Sequence, residues 1–402
     1  MPKVNTDPKQ IQALLSRGVE NIYPNQGFLE KLLKSGKQIT IYYGIDPTGP
    51  SLHLGHAIEL EKLRQLQDLG HKIVVLLGDF TATIGDPTDK AATRKPLTRQ
   101  QVLKNAKDYK KQAGKFLKLT GNNKAEWKYN SKWFAKMNFT SIVELSAKFT
   151  VQQLLERDMF ANRMKEGKPI SLHELMYPVM QAYDSVMLKV DGEIGGNDQT
   201  FNMLAGRTLM KQMLSKEKFV ITMKLLTDSG GTKMGKSENN MLSFSDSADE
   251  MFGKVMSWTD GMIEPGFELC TRVDERELKE ISKKLKSDAN PKDLKIKLAK
   301  EIVTIYYSAK VADTAADNFA QVFSKKENPD DMPEFDIKTG KINPIDLLIK
   351  LKFTSSKGEA RRLIDGGGMK LNKEKITSWK EDVNIKSGDI IQAGKRKFAK
   401  IK

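Results

Sequence analysis

Short apolar runs alternate with longer amphipathic segments along the first part of the chain. Residues 39–43, 72–77 and 219–223 are mostly apolar runs of strand length, and residues 192–194 form a short strand-like piece. Residues 56–69 have helical periodicity and end before a glycine. Strands alternating with helices predict a mostly parallel α/β sheet, with its ligand site at the carboxyl ends of the strands.

Helical spacing is also found before the first of these strands. The first 36 residues are predicted to be helical, because apolar residues recur there at helical intervals: Ile11, Leu14, Leu15, Val19 and Ile22. Residues 140–188 are predicted to be mostly helical and to form an insertion over one edge of the sheet. Ser247 and Glu250 form a capping box at the start of a helical region that extends to about residue 323.

These patterns divide the chain into four parts. Residues 1–240 are predicted to form the α/β domain with its insertion, and residues 241–325 an α-helical domain. Residues 326–340 are polar and contain two prolines, which indicates a linker. Residues 341–402 are predicted to form a small α+β module of two short helices and short strands.

Composition places the chain among intracellular proteins that bind acidic partners. Its 402 residues are 39% hydrophobic, and the net charge of +16 favours nucleic acid over membrane. Cys270 is the single cysteine, which rules out an intrachain disulfide and fits a reducing cytoplasm. We find neither the apolar core of a signal peptide nor an apolar run long enough to cross a bilayer, so a cytoplasmic location is expected.

The positive charge is concentrated in the last module. Residues 341–402 contain 16 Lys and Arg against seven Asp and Glu, a net charge of +9. A charged surface alone would explain this, but its concentration in one small module favours a platform for nucleic acid. The residues predicted to contact RNA are Lys357, Arg361, Arg362 and Lys370.

Each polar motif, taken alone, is weak evidence for function. His53 and His56 lie at a predicted helix start after a Gly/Pro-rich turn, a layout that can bind an anion. A zinc site would need further ligands, and only Cys270, His71 and His173 are available, so no metal site is predicted. The other candidates have equally simple structural explanations: the Lys233/Lys236 spacing, Asp86 in a turn, and a helix face of Tyr177, Gln181 and Asp184.

The order of the motifs is more informative, because it resembles that of the class I aminoacyl-tRNA synthetases. Their HIGH and KMSKS motifs correspond to residues 53–56 and 233–237. The flanking strings Tyr42-x-Gly44-x-Asp46-Pro47-Thr48, Ile84-Gly85-Asp86-Pro87, Gln181-Ala182-Tyr183-Asp184 and Gly195-Gly196-x-Asp198-Gln199 resemble the bacterial tyrosyl-tRNA synthetases. Residues 356–364 resemble the S4 RNA-binding module of that family.

This resemblance implies a Rossmann-like catalytic domain, a helical domain that contacts tRNA, and an S4-like RNA-binding domain. It implies that tyrosine and ATP form tyrosyl-adenylate, and that tyrosine then passes to the 3′ end of tRNA(Tyr). Mg²⁺ is expected to accompany ATP, with no tightly bound cofactor, and the chain is expected to form a homodimer. The residues to which the resemblance gives catalytic roles are Thr48, His53, His56, Lys233, Lys236 and Ser237.

Substrate-binding roles are carried over from the same resemblance. ATP is expected to contact Asp46, Gly55, Asp198, Gln199 and Lys236. Tyrosine is expected to contact Tyr42, Thr81, Asp86, Tyr177, Gln181 and Asp184, with Tyr42 and Asp184 on the phenolic hydroxyl. Two alternatives stay open: a tryptophanyl-tRNA synthetase, and a non-catalytic RNA-binding protein that has kept the synthetase scaffold.

Overall fold

The computed structural model describes residues 3–86, 97–227, 241–287, 290–324, 332–337, 339–394 and 397–402. The chain divides into two units. The first comprises Met1–Asp246 and Trp258–Leu298, and the second comprises Ser247–Ser257 and Ala299–Lys402.

The first unit is built on a six-stranded sheet in the order β1-β6-β5-β2-β3-β4. Neighbouring strands are parallel except for β1, which runs antiparallel to β6. The predicted mostly parallel sheet is therefore confirmed. The strands are β1 (Val19–Tyr23), β2 (Thr40–Ile45), β3 (Lys72–Leu77), β4 (Glu126–Tyr129), β5 (Gly192–Gly196) and β6 (Phe219–Met223).

Helices precede the sheet, connect its strands and follow it. Four of them, α8 to α11, lie within the stretch predicted to be a helical insertion. The helices of this unit are α1 (Pro8–Ser16), α2 (Gln26–Lys34), α3 (Leu54–Asp68), α4 (Thr81–Ile84), α5 (Arg99–Ala106), α6 (Tyr109–Ala113), α7 (Ser131–Phe134), α8 (Phe139–Ser146), α9 (Val151–Leu155), α10 (Asp158–Lys165), α11 (Leu172–Leu188), α12 (Thr200–Leu214), α14 (Ile263–Cys270) and α15 (Glu275–Leu285).

The prediction that the first 36 residues are helical is wrong in its middle part. Helix α1 stops at Ser16, and Gly18 has a φ of +67°, a conformation that glycine adopts readily. The β-branched residues Val19 and Ile22 then lie in strand β1, which pairs with β6. The five apolar residues that fit one helical pattern therefore belong to two elements, helix α1 and strand β1.

Functional residues follow the carboxyl ends of four parallel strands. Asp46 follows β2, Gly78 follows β3, Asn130 follows β4 and Asp198 lies just beyond β5. Parallel strands bring these ends to one edge of the sheet. In the described part of the connection after β3, a short helix, α4, begins at Thr81.

The second unit contains α13 (Ala248–Met256), the later part of α16 (Pro291–Tyr306), α17 (Ala309–Ser324) and the C-terminal module. The capping box of Ser247 and Glu250 at the start of α13 is confirmed. Helices α13 and α17 pack together through Phe252 and Phe319, whose ring centroids are 5.4 Å apart.

The C-terminal module has one five-stranded sheet, β10-β9-β12-β13-β7, and a separate pair, β11 and β8. Strand β7 lies inside the range predicted as linker and pairs in parallel with β13, so this part of the range belongs to the sheet. The elements are β7 (Glu334–Phe335), β8 (Gly340–Ile342), α18 (Pro344–Lys350), α19 (Lys357–Asp365), β9 (Met369–Leu371), β10 (Glu374–Ile376), β11 (Val383–Ile385), β12 (Ile390–Ala393) and β13 (Lys397–Ile401).

Candidate active site

The turn after β2 is held by side chains from helices α5 and α6. The hydroxyl of Tyr109 donates to the carbonyl of Gly49 at 2.6 Å, and the Asn105 amide donates to the carbonyl of Pro47 at 3.0 Å. The Gln112 side chain accepts from the backbone N–H of Leu52 at 2.7 Å. These three hydrogen bonds from helices α5 and α6 therefore stabilise the turn that contains Thr48.

His53 and His56 lie at the start of helix α3. The backbone N–H of His53 donates to Nδ1 of His56 at 3.1 Å, and the two ring centroids are 3.9 Å apart. A Cβ on Gly55 would approach the His53 ring to 3.0 Å, so a larger residue there would crowd the ring. The positive end of the helix dipole favours an anion here.

The chain returns to this helix start just beyond residues 233–237, which resemble the KMSKS motif. Ser243 forms a β-bridge with His53, and the backbone N–H of Leu54 donates to the carbonyl of Leu242 at 2.9 Å. The Ser243 hydroxyl also donates to Ser51 Oγ at 2.7 Å. Lys233, Lys236 and Ser237 lie outside the described residues, but the segment that follows them is attached to the histidine turn.

Asp46 connects the histidine turn to the residues predicted to bind tyrosine. Its Oδ2 accepts from the hydroxyl of Tyr177 at 2.9 Å, and its Oδ1 accepts from Thr81 Oγ1 at 2.7 Å. A Cβ on Gly78 would lie 1.9 Å from Asp46 Oδ1, so glycine leaves the space for this carboxylate. Asp46, predicted as an ATP contact, thus lies among the tyrosine residues.

Asp184 is a buried carboxylate with two donors on the strand β4 side. It accepts from Trp133 Nε1 at 2.8 Å and from Asn130 Nδ2 at 3.3 Å. Asn130 Nδ2 also lies 3.0 Å from Thr81 Oγ1, which continues the network toward Asp46. Burial raises the pKa of Asp184 well above its ordinary value, and the hydrogen bonds from Asn130 and Trp133 oppose that rise.

Tyr42 is fully buried, and its hydroxyl contacts helix α11. It lies 3.1 Å from Ser185 Oγ and 3.5 Å from the carbonyl of Gln181. Burial raises its pKa, and the nearby carboxylates of Glu193 and Asp184 raise it further. Within the described residues no direct hydrogen bond joins Tyr42 to Asp184, although the charge of Asp184 acts on the Tyr42 hydroxyl.

Asp86 is bridged by two side chains. Arg157 Nη2 donates to its Oδ1 at 2.8 Å, and Gln199 Nε2 donates to its Oδ2 at 2.7 Å. Asn202 then donates to both Gln199 and Gln181 at 2.9 Å each. The predicted tyrosine residues Asp86 and Gln181 are therefore connected through Gln199, which was predicted to bind ATP.

Asp198 lies near helix α3, on the same side as the histidines. A Cβ on Gly196 would lie 2.5 Å from Asp198 Oδ1 and 3.5 Å from Glu59 Oε1, so both carboxylates face this glycine. Burial raises the pKa of Tyr43, and the charges of Glu59 and Asp198 add to that effect. Glu59 lies one turn after His56, so the predicted ATP contact Asp198 lies close to the helix that begins at the two histidines.

Several polar residues of this site were not predicted from the sequence. Arg157 is 4% exposed although it lies in the helical insertion, and Glu193 and Lys218 are buried as an ion pair. Asn130 and Trp133 follow strand β4, which was also not predicted. An isolated charged residue in a sequence predicts exposure, so only the tertiary contacts reveal these roles.

The predicted RNA-binding residues lie on the C-terminal module. Lys357, Arg361 and Arg362 are exposed on helix α19, and Lys370 is half-buried in strand β9. The Arg361 guanidinium lies over the Trp379 ring, 4.6 Å from its centroid. An arginine held on an indole can present both its charge and a flat surface.

The described residues contain neither a cluster of metal-binding side chains nor a membrane-spanning helix. In that part of the chain, no three or more His, Cys, Asp or Glu side chains form a group suited to a metal ion. No helix there combines the length and apolar character needed to cross a membrane.

Comparisons with known proteins cover nearly the whole chain. Residues 34–324 match the family model of class I tRNA synthetases (W and Y), and residues 324–401 match that of the tyrosine–tRNA ligase SYY-like C-terminal domain. The chain is 44% identical over 393 residues to tyrosine–tRNA ligase 2 of Clostridium acetobutylicum, and the aligned region covers 96% of this chain and 97% of the relative. It is 41% identical over 396 residues to tyrosine–tRNA ligase of Thermotoga maritima, covering 98% of each.

Solved structures share the fold at lower identity. A C-terminally truncated mitochondrial tyrosyl-tRNA synthetase of Aspergillus nidulans gives a TM-score of 0.65 at 24% identity, covering 78% of this chain and 94% of that one. A tyrosyl-tRNA synthetase of Archaeoglobus fulgidus complexed with L-tyrosine gives a TM-score of 0.61 at 22% identity, covering 77% and 99%.

Proposed function

The chain belongs to the bacterial tyrosine–tRNA ligases among the class I tRNA synthetases, and we propose that the polar site at the carboxyl edge of its sheet performs both steps of tyrosine transfer. In the first step a carboxylate oxygen of tyrosine attacks the α-phosphorus of ATP, and the bond to pyrophosphate breaks. In the second step the tyrosyl group passes to the 3′ end of tRNA(Tyr), and AMP leaves.

The first step needs no nucleophile from the protein, because the substrate supplies its own. The protein then contributes positioning and stabilisation of charge on the phosphates. The start of helix α3, with Thr48, His53 and His56, is suited to this role because the positive end of the helix dipole attracts an anion. Lys233, Lys236 and Ser237 are proposed to bind pyrophosphate, since the segment after them is attached to His53 through Ser243.

Mg²⁺ is proposed to enter with ATP rather than to occupy a site formed by the protein. Both oxygens of Asp46 accept hydrogen bonds from Tyr177 and Thr81, and both oxygens of Asp86 accept from Arg157 and Gln199. Mg²⁺ commonly keeps several waters and binds substrate phosphates. When bound, it would neutralise charge on the phosphates that this chain holds through the helix start.

The buried polar network is proposed to select tyrosine. The phenolic hydroxyl of the tyrosine substrate would form hydrogen bonds with Asp184 or Tyr42. Phenylalanine would remove water from these polar groups without forming those hydrogen bonds, which costs binding free energy. Asp86, Tyr177 and Gln181 are proposed to hold the substrate ammonium, with Thr81 positioning Asp46. Asp198 and Gln199 are proposed to bind the ribose and the reacting carboxylate, and Gly55 to let the adenine approach the backbone.

The C-terminal module is proposed to bind tRNA(Tyr) through phosphate contacts. Lys357, Arg361, Arg362 and Lys370 are its candidate contacts, and each neutralised phosphate should add to the salt dependence of binding. A cytoplasmic location is inferred from the role in translation, and the buried thiol of Cys270 is consistent with it.

A homodimer is proposed from the apolar surface of the helical insertion. Large apolar side chains are exposed in α8, α9, α10 and α11: Phe139 (80%), Val143 (50%), Val151 (58%), Met164 (56%) and Leu172 (78%). A concentration of exposed apolar residues in one region favours a protein interface. Sedimentation should give a dimer for the unmodified chain and monomers for Phe139→Glu/Leu172→Glu, whereas an unchanged dimer in the variant would exclude this surface.

One observation carries the functional proposal. Asp46, which precedes the histidine turn, is hydrogen-bonded to Tyr177 and Thr81, so the proposed ATP and tyrosine sites adjoin at one carboxylate. The test is charging of tRNA with labelled tyrosine by the unmodified chain, His56→Asn and His173→Asn, the last being an exposed control. We expect His56→Asn alone to slow charging, because adenylate formation precedes transfer, by about tenfold or more if one charge-assisted contact is lost. Equal rates in all three would contradict the proposed role.

A further inference from the structure

A buried ion pair lies beneath the proposed tyrosine site. Lys218 Nζ contacts Glu193 Oε2, and their side chains are 0% and 2% exposed. Lys218 immediately precedes strand β6, and Glu193 lies in the neighbouring strand β5. No other ion pair among the described residues has both side chains this deeply buried.

The pair contacts Gln181 of the proposed tyrosine site directly and reaches Tyr42 of that site through one intervening side chain. Glu193 Oε1 accepts from Gln181 Nε2 at 3.0 Å. Lys218 donates to Ser185 Oγ at 2.9 Å, and that oxygen lies 3.1 Å from the hydroxyl of Tyr42. The Lys218 ammonium also lies 5.9 Å from the centroid of the Tyr42 ring.

The direction of these hydrogen bonds follows from the donor inventory. An ammonium can only donate, so Ser185 Oγ accepts from Lys218 and keeps its own proton for Tyr42 or Glu193. A carboxylate can only accept, so Glu193 turns the NH₂ end of the Gln181 amide toward itself. The other end of that amide, Oε1, then accepts from Asn202 at 2.9 Å. The pair therefore orients Gln181 and polarises the hydrogen bonds of Tyr42.

The packing of helix α12 leaves room for this ammonium. A Cβ on Gly206 would lie 2.6 Å from Lys218 Nζ and 2.9 Å from Ser185 Oγ. An alanine at that position would have to displace the ammonium or the hydroxyl. Glycine in a helix interior costs about 1 kcal/mol relative to alanine, so this space is maintained against helix propensity.

Stability alone does not account for the pair. Desolvating two charges is costly, and well-packed apolar residues in place of a buried ion pair are often at least as stable. A retained pair with hydrogen bonds to neighbouring polar groups is better explained by the orientation it imposes on them. Here those neighbours are Gln181 and Tyr42, by way of Ser185.

We propose that Lys218 and Glu193 are positioning residues for tyrosine recognition, which act by fixing the Gln181 amide and, through Ser185, the hydroxyl of Tyr42. The inference rests on the proposed function, because it assigns Gln181 and Tyr42 to the amino-acid substrate. It predicts that disturbing the pair changes recognition of tyrosine and leaves recognition of ATP intact.

The test measures ATP–pyrophosphate exchange by the full chain with Lys218→Met, the double variant Lys218→Met/Glu193→Gln, Ser185→Ala and the control Lys216→Met. Lys216 is half-exposed in the same connection and pairs with Asp191. Lys218→Met should raise the KM for tyrosine about tenfold or more, the scale of one charge-assisted hydrogen bond, with the KM for ATP within about twofold.

The remaining variants separate orientation from a general loss of stability. The double variant should recover part of the tyrosine KM, because it removes the uncompensated carboxylate and keeps an amide beside Gln181. Ser185→Ala should lower the ratio of kcat/KM for tyrosine over phenylalanine with the ion pair in place. The control Lys216→Met should retain both KM values.

Two failures are distinguishable. If the unmodified chain exchanges with tyrosine but Lys218→Met and Ser185→Ala retain its KM values and its selectivity, the positioning role is wrong while the function stands. If the unmodified chain neither exchanges with tyrosine nor binds it calorimetrically, the function fails and the inference with it. Should Lys218→Met not fold, Ser185→Ala and Gly206→Ala decide by the same readouts.

Discussion

Replacing Asp184 by asparagine should weaken selection for tyrosine over phenylalanine. The carboxylate is 4% exposed and already accepts from Trp133 and Asn130. A hydrogen bond to a charged group contributes about 1.5–3 kcal/mol, and one between neutral groups about 0.5–1.5 kcal/mol. The difference of about 1–1.5 kcal/mol corresponds to roughly tenfold in kcat/KM for tyrosine. Phenylalanine has no hydroxyl and should lose little.

The assay is ATP–pyrophosphate exchange with tyrosine and with phenylalanine, compared as the ratio of kcat/KM. Asp79→Asn is the matched control, because Asp79 is 1% exposed and accepts from the backbone N–H of Ser131 at 2.9 Å. The control should keep the unmodified ratio even if its melting temperature falls. An unchanged ratio in Asp184→Asn, or an equal change in both variants, would refute the assignment of Asp184 to the phenolic hydroxyl.

Three further predictions concern other parts of the chain. Burial lowers the pKa of Lys62 from 10.5 to about 7. Between these pH values the unfolded chain binds one proton more than the folded chain, so the free energy of unfolding should rise with pH by up to about 1.4 kcal/mol per unit. Denaturant titrations should show a smaller pH dependence for Lys62→Met, and an equal pH dependence would contradict the prediction. Gly78→Ala should displace the Asp46 carboxylate, because the new Cβ would lie 1.9 Å from its Oδ1. The rate of ATP–pyrophosphate exchange with tyrosine should then fall at least about tenfold, and an unchanged rate would contradict the role of that carboxylate. Replacing both Lys357 and Lys370 by glutamine should reduce the salt slope of tRNA binding by about 2, and a retained slope would exclude these phosphate contacts.

The parallel sheet was predictable because its central strands are apolar on both faces. Strands β2, β3 and β6 each appeared as an apolar run, and the glycine after helix α3 marked its end. Strand β4 was missed because it has only four residues, two of them charged, and its alternation of charged and aromatic side chains is too short to indicate a strand. Strand β1 was missed because its apolar residues also fit the spacing of the preceding helix.

The candidate site was predictable only in outline. Motif order indicated which residues lie at the carboxyl edge, and Asp46, Thr81 and Tyr177 are indeed joined there by hydrogen bonds. The sequence could not reveal the buried partners, because Arg157 and Lys218 are ordinary basic residues until the fold buries them. Their contacts depend on residues far apart in the chain, which no local pattern records.

The central claim is that this site activates tyrosine with ATP. It is tested most directly by ATP–pyrophosphate exchange with the unmodified chain and each of the twenty amino acids in turn. Tyrosine should support exchange, and phenylalanine and tryptophan should support far less. Exchange with tryptophan alone would instead indicate a tryptophanyl-tRNA synthetase, and exchange with none would indicate an RNA-binding protein on a synthetase scaffold; either result would contradict the account.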